Sequence, residues 1–252
     1  EIIEGKFKTS KKVVIEEFLK GEELSYFLVV DNVSFRFFGS AQDHKRVGEG
    51  DKGPNTGGMG AYSPAPILTK NLEKKIINKI VKPTLKALKR KKNPYTGFLY
   101  VGLMIKENEP FLIEYNVRMG DPECQVILPR LKDDILRIIN KSLNNKLKNL
   151  KIKWKNLKCI TIVLCSNGYP GKYKTGKIIK NIKKINLDRK SFIFHAGTYL
   201  KDNHVYSSGG RVLNVTSTGM FFRKIRVKII KIMKKLNWKY GFFRKDIGSR
   251  II

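Results

Sequence analysis

The chain has 252 residues, 41% hydrophobic and 10% aromatic, a composition that excludes an intrinsically disordered protein and allows one large or two modest domains. It has no apolar run of about 18 residues and begins without a signal-peptide pattern, which excludes a membrane-spanning helix and predicts a cytoplasmic protein. Lysine and arginine number 52 against 21 acidic residues, a formal net charge of +31.

Extended segments are predicted at the start of the chain. The first extended segment begins with apolar residues at 13–15 and continues past Gly21 through 24–30. An Asp-Asn turn then leads into a second extended segment at 33–37. These segments are predicted to form antiparallel strands. Six glycines between Gly48 and Gly60 then predict a loop with unusual backbone angles, since so many glycines weaken the interior of a strand or helix.

Helices are predicted on both sides of a pair of strands. Thr69 is a predicted N-cap, apolar residues recur at helical spacing over 72–88, and Pro83 is predicted to break or kink that helix. Two strands joined by a turn, and then a second helix, follow at 98–105, 111–117 and 132–145.

The second half of the chain predicts a small separate unit. Residues 147–156 are rich in lysine and asparagine, so a boundary is placed there and the predicted domains are 1–148 and 149–252. Strand-like segments and a final amphipathic helix follow, at 159–164, 191–194, 209–215 and 218–236. The predicted fold class is α+β.

The strand at 111–117 carries the residues best suited to metal chemistry. Strand alternation places Glu114, Asn116 and Arg118 on one face, and an apolar set on the other, namely Phe111, Ile113, Tyr115 and Val117. A carboxylate and an amide oxygen two residues apart can hold Mg²⁺, which prefers oxygen ligands. Arg118 could then clamp a phosphate or carboxylate. An ordinary solvated strand face fits this alternation equally well.

An ordered series of motifs favours the metal site over the solvated strand face. The segment 13–23 (Val-Val-Ile-Glu-Glu-Phe-Leu-Lys-Gly-Glu-Glu) resembles the hinge strand of ATP-grasp ligases. Gln-Asp-His-Lys-Arg at 42–46, followed by the glycine-rich 53–64, is similar to glycinamide ribonucleotide synthetases in particular. Further segments resemble the same family in the same order, at 95–100, 114–123, 168–171, 195–198, 208–213 and 244–248.

The resemblance implies the second half of an ATP-grasp fold, followed by a small antiparallel C-terminal domain. It implies a monomer that joins glycine to phosphoribosylamine using ATP, through glycyl phosphate, with Mg²⁺ or Mn²⁺ held by Glu114 and Asn116. ATP contacts are implied at Glu16, Glu17, Phe18, Leu19 and Glu23. Substrate contacts are implied at Asp43, His44, Asn55, Thr56, Gly57, Gly58, Met59 and Gly60. Phosphoryl-transfer contacts are implied at Lys45, Arg46 and Arg118.

The resemblance is incomplete, because the family's N-terminal domain and first ATP-grasp subdomain have no counterpart in this sequence. Activity is therefore expected only in an intact ligase. Another ATP-grasp carboxylate–amine ligase is the first alternative. A basic nucleic-acid-binding protein is the second alternative. The sequence has no clustered basic stripe with stacking aromatic residues, which disfavours it. Lysine is spread along the whole chain together with isoleucine and asparagine, so a genome rich in AT codons explains the charge. We thus expect neither nucleic-acid nor membrane partners.

Overall fold

A computed structural model of the chain describes residues 14–252. Its centre is one antiparallel sheet of nine strands, in the order β7-β6-β1-β2-β5-β8-β12-β9, with β13 paired to β8. The main strands are β1 (Glu22–Val30), β2 (Phe35–Asp43), β5 (Gly60–Ser63), β6 (Gly97–Lys106), β7 (Glu109–Asn116), β8 (Lys158–Ser166), β9 (Ser191–His195), β12 (Arg211–Gly219) and β13 (Gly241–Phe242). Two hairpins lie outside this sheet, β3–β4 (Arg46–Gly48, Lys52–Asn55) and β10–β11 (Thr198–Lys201, His204–Ser207).

Strand β1 is apolar on both faces because both faces of the sheet are covered. Tyr26 and Leu28 pack in one hydrophobic cluster with the helix that follows β5, whereas Phe27 and Val29 pack in a second cluster on the opposite face. A strand covered on both sides reads as a continuous apolar run instead of an alternating one.

The predicted helix after Thr69 is confirmed, with an irregularity before Pro83. The hydroxyl of Thr69 accepts a hydrogen bond from the backbone N–H of Leu72, which starts α1 (Lys70–Ile76). A π-helical turn (Ile77–Val81) then leads into α2 (Lys82–Arg90), which has Pro83 in its first turn. Proline has no N–H to donate, and the widened turn lies directly before it.

The segment around the predicted domain boundary packs against the first half of the chain. Two helices precede it, α3 (Cys124–Ile127) and α4 (Ile135–Leu143), and Asp134 caps α4. Apolar spacing in this helix would place Leu143 on the same stripe as Ile135, Ile138 and Ile139, but Leu143 is exposed. The neighbouring Ser142 is buried instead and donates to the carbonyl of Val30. Leu147 and Leu150 are buried in the cluster of Phe27.

The second half continues the same sheet, because β8 pairs with β5 on one side and with β12 on the other. Helix α5 (Phe222–Leu236) covers β8 and β12 with the predicted amphipathic stripe, of which Ile225, Ile229 and Leu236 are buried. The architecture is α+β, as predicted. No helix in residues 14–252 is long and apolar enough to cross a membrane.

Two local predictions are corrected. The glycine-rich stretch 48–60 is only partly loop, because it contains β4 and the start of β5; four of its glycines do have positive φ. The first strand does not extend back to residue 14: residues 14–20 have no regular structure, and β1 begins at Glu22. The predicted start at residue 13 lies outside the described residues.

Candidate functional site

A cleft of about 440 Å³ lies where the segment before β1, the end of β2 and hairpin β3–β4 meet. It brings together residues far apart in sequence, including Arg250 near the C-terminus. The predicted site residues among its walls are Phe18, Leu19, Glu23, Asp43, His44, Lys45, Arg46 and Asn55. Glu16 and Glu17 are exposed and lie outside this lining.

Lys45 and Glu23 form an ion pair at the wall of the cleft. The Nζ of Lys45 lies 2.9 Å from a carboxylate oxygen of Glu23. Partial burial opposes the charge on Lys45, but the carboxylates of Glu23, Asp43 and Glu114 outweigh burial and raise the pKa of Lys45. The ammonium group is therefore charged at neutral pH. Lys45, Glu23 and Glu114 also line one small pocket, so Glu114 lies next to this ion pair.

Glu114 and Asn116 share the predicted face of β7. The amide nitrogen of Asn116 donates to Glu114 over 3.0 Å, and Tyr115 points the opposite way, with its hydroxyl 2.6 Å from that of Thr84. Phe111 and Val117 were assigned to the apolar face, which would make them core residues, but both are exposed. Strand β7 is an edge strand whose pairing with β6 shifts register just before Glu114, so strict alternation fails there.

A second carboxylate, missing from the predicted site residues, lies beside the cleft. Glu123 is buried and accepts a hydrogen bond from the hydroxyl of Ser25 over 3.0 Å. Burial, followed by the charge of Glu123, raises the pKa of Asp43 well above its usual value. The signal in the sequence was the motif at 114–123, which contains both Gly120 and Glu123. In the structure a Cβ at Gly120 would lie 2.3 Å from the Glu123 carboxylate, so the glycine makes room for it.

The loop 56–60 is held by hydrogen bonds to other parts of the protein and by one within the loop. The backbone N–H of Gly57 donates to the hydroxyl of Tyr169 over 2.9 Å, and that of Gly58 donates to the hydroxyl of Thr56 over 3.0 Å. These two N–H groups are thus engaged within the protein. Gly58 has φ +112°, and a Cβ there would lie 2.5 Å from Pro122 and 2.8 Å from Asp43. A glycine is needed here for close packing beside Asp43.

Met59 and Gly60 lie behind the cleft. The side chain of Met59 is fully buried in the cluster under α5 and contacts the sulfur of Cys165. The carbonyl of Gly60 accepts from the backbone of His44 and lies 3.2 Å from its Nδ1. Substrate contacts by these residues stay predictions, and the structure gives the Met59 side chain a core position.

Arg211, which sequence analysis gave no role, joins two loops of the site. Its guanidinium donates to the carbonyl of Gly57 over 2.6 Å and to the carboxylate of Asp121 over 2.9 Å. Arg118 and Arg46 each donate to a backbone carbonyl nearby, those of Met119 and Gly53. The motif at 208–213 contained Arg211, but no sequence spacing connects it to the loops at 57 and 121.

His44 is buried, and both ring nitrogens have partners. Its Nε2 accepts from the backbone N–H of Gly248 at 3.4 Å, which leaves the proton on Nδ1, toward the carbonyl of Gly60. Burial, and secondly the positive charge of Arg244, lower the pKa of His44 from 6.5 to about 4. A buried, neutral ring with both nitrogens bonded to the backbone supports the fold.

The low pKa of His44 predicts a pH-dependent loss of stability. The unfolded chain binds the proton below pH 6.5 and the folded chain only below about 4, so stability is fully present above pH 6.5 and falls as the pH drops to about 4. We expect His44 to contribute a loss of about 3 kcal/mol across that interval. Urea unfolding of the wild type and of His44→Gln between pH 7 and 4 measures it. Equal losses in both proteins would contradict the prediction.

Comparison with known proteins assigns the family. A model of the phosphoribosylglycinamide synthetase ATP-grasp (A) domain matches residues 1–124, and one of the C domain of the same family matches residues 159–250. Over 250 residues the chain is 43% identical to the phosphoribosylamine–glycine ligase of Brucella melitensis, covering 99% of this chain and 58% of that ligase. The chain belongs to the phosphoribosylglycinamide synthetase family.

Other members of this family, and more distant folds, agree with the architecture. The chloroplastic phosphoribosylamine–glycine ligase of Arabidopsis thaliana is 44% identical over 256 residues, and this chain spans 48% of its length. The crystal structure of the Thermotoga maritima ligase, 34% identical, superposes with a TM-score of 0.81 over 92% of this chain and 57% of that one. Biotin carboxylase from Campylobacter jejuni, 16% identical with a TM-score of 0.60, shares the fold alone.

Proposed function

We propose that this chain provides the metal-binding wall of a phosphoribosylamine–glycine ligase, which uses ATP to join glycine to phosphoribosylamine. The observation that carries the proposal is the position of Glu114 beside the Lys45–Glu23 ion pair, at one end of the cleft. Family membership supplies the reaction class. The chain spans 58% of the Brucella melitensis ligase, so the activity proposed is that of the longer polypeptide that contains it.

The donors on β7 fit a hard divalent cation. Glu114 offers a carboxylate and Asn116 an amide oxygen, both are accessible to solvent, and two protein ligands leave the remaining positions to water and phosphate oxygens, as Mg²⁺ prefers. We propose that they hold Mg²⁺ or Mn²⁺, which would neutralise charge on the transferring phosphoryl group. The ammonium of Lys45, kept charged by Glu23, would stabilise the same charge from the protein side.

The proposed reaction has two steps. A carboxylate oxygen of glycine attacks the γ-phosphorus of ATP, the bond to ADP breaks, and glycyl phosphate forms. The amine of phosphoribosylamine then attacks the glycyl carbonyl carbon, phosphate leaves, and the amine loses a proton. The protein's part in both steps is to position the reactants and stabilise charge. We propose that Phe18, Leu19 and Glu23 contact ATP. Arg46 and Arg118 would bind phosphoryl oxygens. Asp43 and Asn55 would contact phosphoribosylamine or glycine.

ATP turnover tests this proposal. In the intact ligase, we expect phosphate release from ATP only when both glycine and phosphoribosylamine are present, and no turnover by the 252-residue chain alone, because an ATP-grasp site lies between two subdomains. Phosphate release and product are measured together. Full activity of the chain alone would contradict the need for the second wall. Turnover with a different amine, but not with phosphoribosylamine, would favour another carboxylate–amine ligase.

A further inference from the structure

The segment 244–250 follows β13 and includes a motif to which the proposed function gives no role. Its Arg244 is almost fully buried, with 1% of the side chain exposed. The guanidinium donates to both carboxylate oxygens of Asp246, over 2.8 and 2.6 Å. It also donates to the carboxylate of Asp51 over 2.9 Å and to the backbone carbonyl of Arg46 over 2.8 Å. Arg244 thus connects the C-terminal segment to β3 and to the turn of hairpin β3–β4.

Three more contacts tie the same segment to the turn of that hairpin. The backbone N–H of Gly50 donates to Asp246 over 2.9 Å, and the backbone N–H of Lys245 donates to Glu49 over 2.9 Å. Arg250 pairs with the second oxygen of Asp51. Every one of these bonds depends on a residue from 244–250.

The hairpin has little else to fix it. All residues of β4 are exposed, and the one apolar side chain of the hairpin that packs against the core is Val47. The hairpin pairs with no other strand in residues 14–252. Its orientation therefore depends on polar contacts, of which those to Arg244 are the most buried.

We propose that Arg244 is a positioning residue for the ligase reaction: it fixes hairpin β3–β4 so that Lys45, Arg46 and Asn55 face the cleft. This inference rests on the proposed function. Arg244 holds the carbonyl of Arg46, one residue from Lys45, and Asn55 lies opposite Arg46 in the hairpin. The guanidinium donates four hydrogen bonds from three nitrogens held in one plane, two of them to the paired oxygens of Asp246. Lysine has three donors on a single nitrogen and cannot reproduce this arrangement.

The test uses Arg244→Lys and Asp246→Asn in the intact ligase. The matched control is Asp188→Asn, which removes a carboxylate from an ion pair with Lys228 that makes no contact with the hairpin. We measure kcat and KM, the thermal midpoint, and hydrogen exchange of the amides in 46–55 and in α5. Because Arg244→Lys could impair folding, Asp246→Asn, which keeps the arginine, provides the independent second variant.

We expect kcat to fall about ten- to a hundredfold in both variants, with a raised KM for glycine or phosphoribosylamine, since small misplacements of catalytic groups cost this much. A lower folded fraction alone would reduce kcat and leave KM unchanged. Exchange should accelerate in 46–55 and stay unchanged in α5. Unchanged kinetics, or acceleration spread equally to α5, would overturn the proposal. If the wild-type enzyme fails to ligate, the proposed function fails, and exchange in 46–55 still tests the positioning role.

Discussion

Replacing Glu114 by glutamine is expected to lower kcat of the intact ligase about a thousandfold, or roughly 4 kcal/mol of transition-state stabilisation. Glutamine keeps the shape of the side chain but removes the negative charge that would bind the cation. Glu114 is exposed and has one side-chain hydrogen bond in the described part of the chain, to Asn116, so stability should change little. Steady-state kinetics across Mg²⁺ concentrations should show the loss together with a higher metal requirement.

The same strand pair supplies the control for this experiment. Glu107 lies in the turn between β6 and β7, exposed and without a described side-chain partner, so Glu107→Gln removes the same charge outside the cleft. It should leave kcat and the metal requirement unchanged. A ligase with Glu114→Gln that retains wild-type kcat and metal dependence would rule out Glu114 as a ligand, even if the family's reaction is confirmed.

Local signals made much of β7 and its surroundings predictable. The N-cap at Thr69, the two strands around residue 107 and the outward direction of Glu114 and Asn116 all follow from spacings of a few residues, which local backbone geometry controls. Tyr115 was correctly turned away from them. Phe111 was misplaced because the register shift before Glu114 breaks the alternation, and Val117 because it lies beyond the end of the edge strand.

The contacts made over long distances in sequence could not be predicted. Nothing in the composition of the glycine-rich stretch shows that Gly58 packs against Pro122, or that Arg211 bonds the carbonyl of Gly57 from 154 residues away. The resemblance implied substrate contacts at Gly57 and Gly58, and the structure shows their backbone N–H groups already bonded to the hydroxyls of Tyr169 and Thr56. Arg244 is similar, since its partners at 46 and 51 become neighbours only when the sheet is complete.

The sheet that crosses the predicted boundary has a consequence for stability. Phe38 on β2 is fully buried and contacts Phe98 and Trp154, with ring centroids 4.8 and 5.6 Å away. Phe38→Ala should therefore lower the free energy of unfolding by about 4 kcal/mol, because a large cavity would open between β2 and the segment that leads into β8. Phe111→Ala, on the exposed edge strand, is the matched control and should cost less than about 1 kcal/mol.

The form of the unfolding curve is as informative as its midpoint. Residues 1–148 and 149–252 were predicted as separate domains, yet β5 and β8 pair across that division and Trp154 packs on Phe38. If these contacts couple the halves, circular dichroism and hydrogen exchange in α5 should follow one transition, and Phe38→Ala should shift both signals together. A first transition that moves with the mutation, followed by a second that does not, would instead support an independent C-terminal domain. The shared strand pairing favours the single transition, because separating the halves would expose the backbone groups and apolar faces of β5 and β8 together.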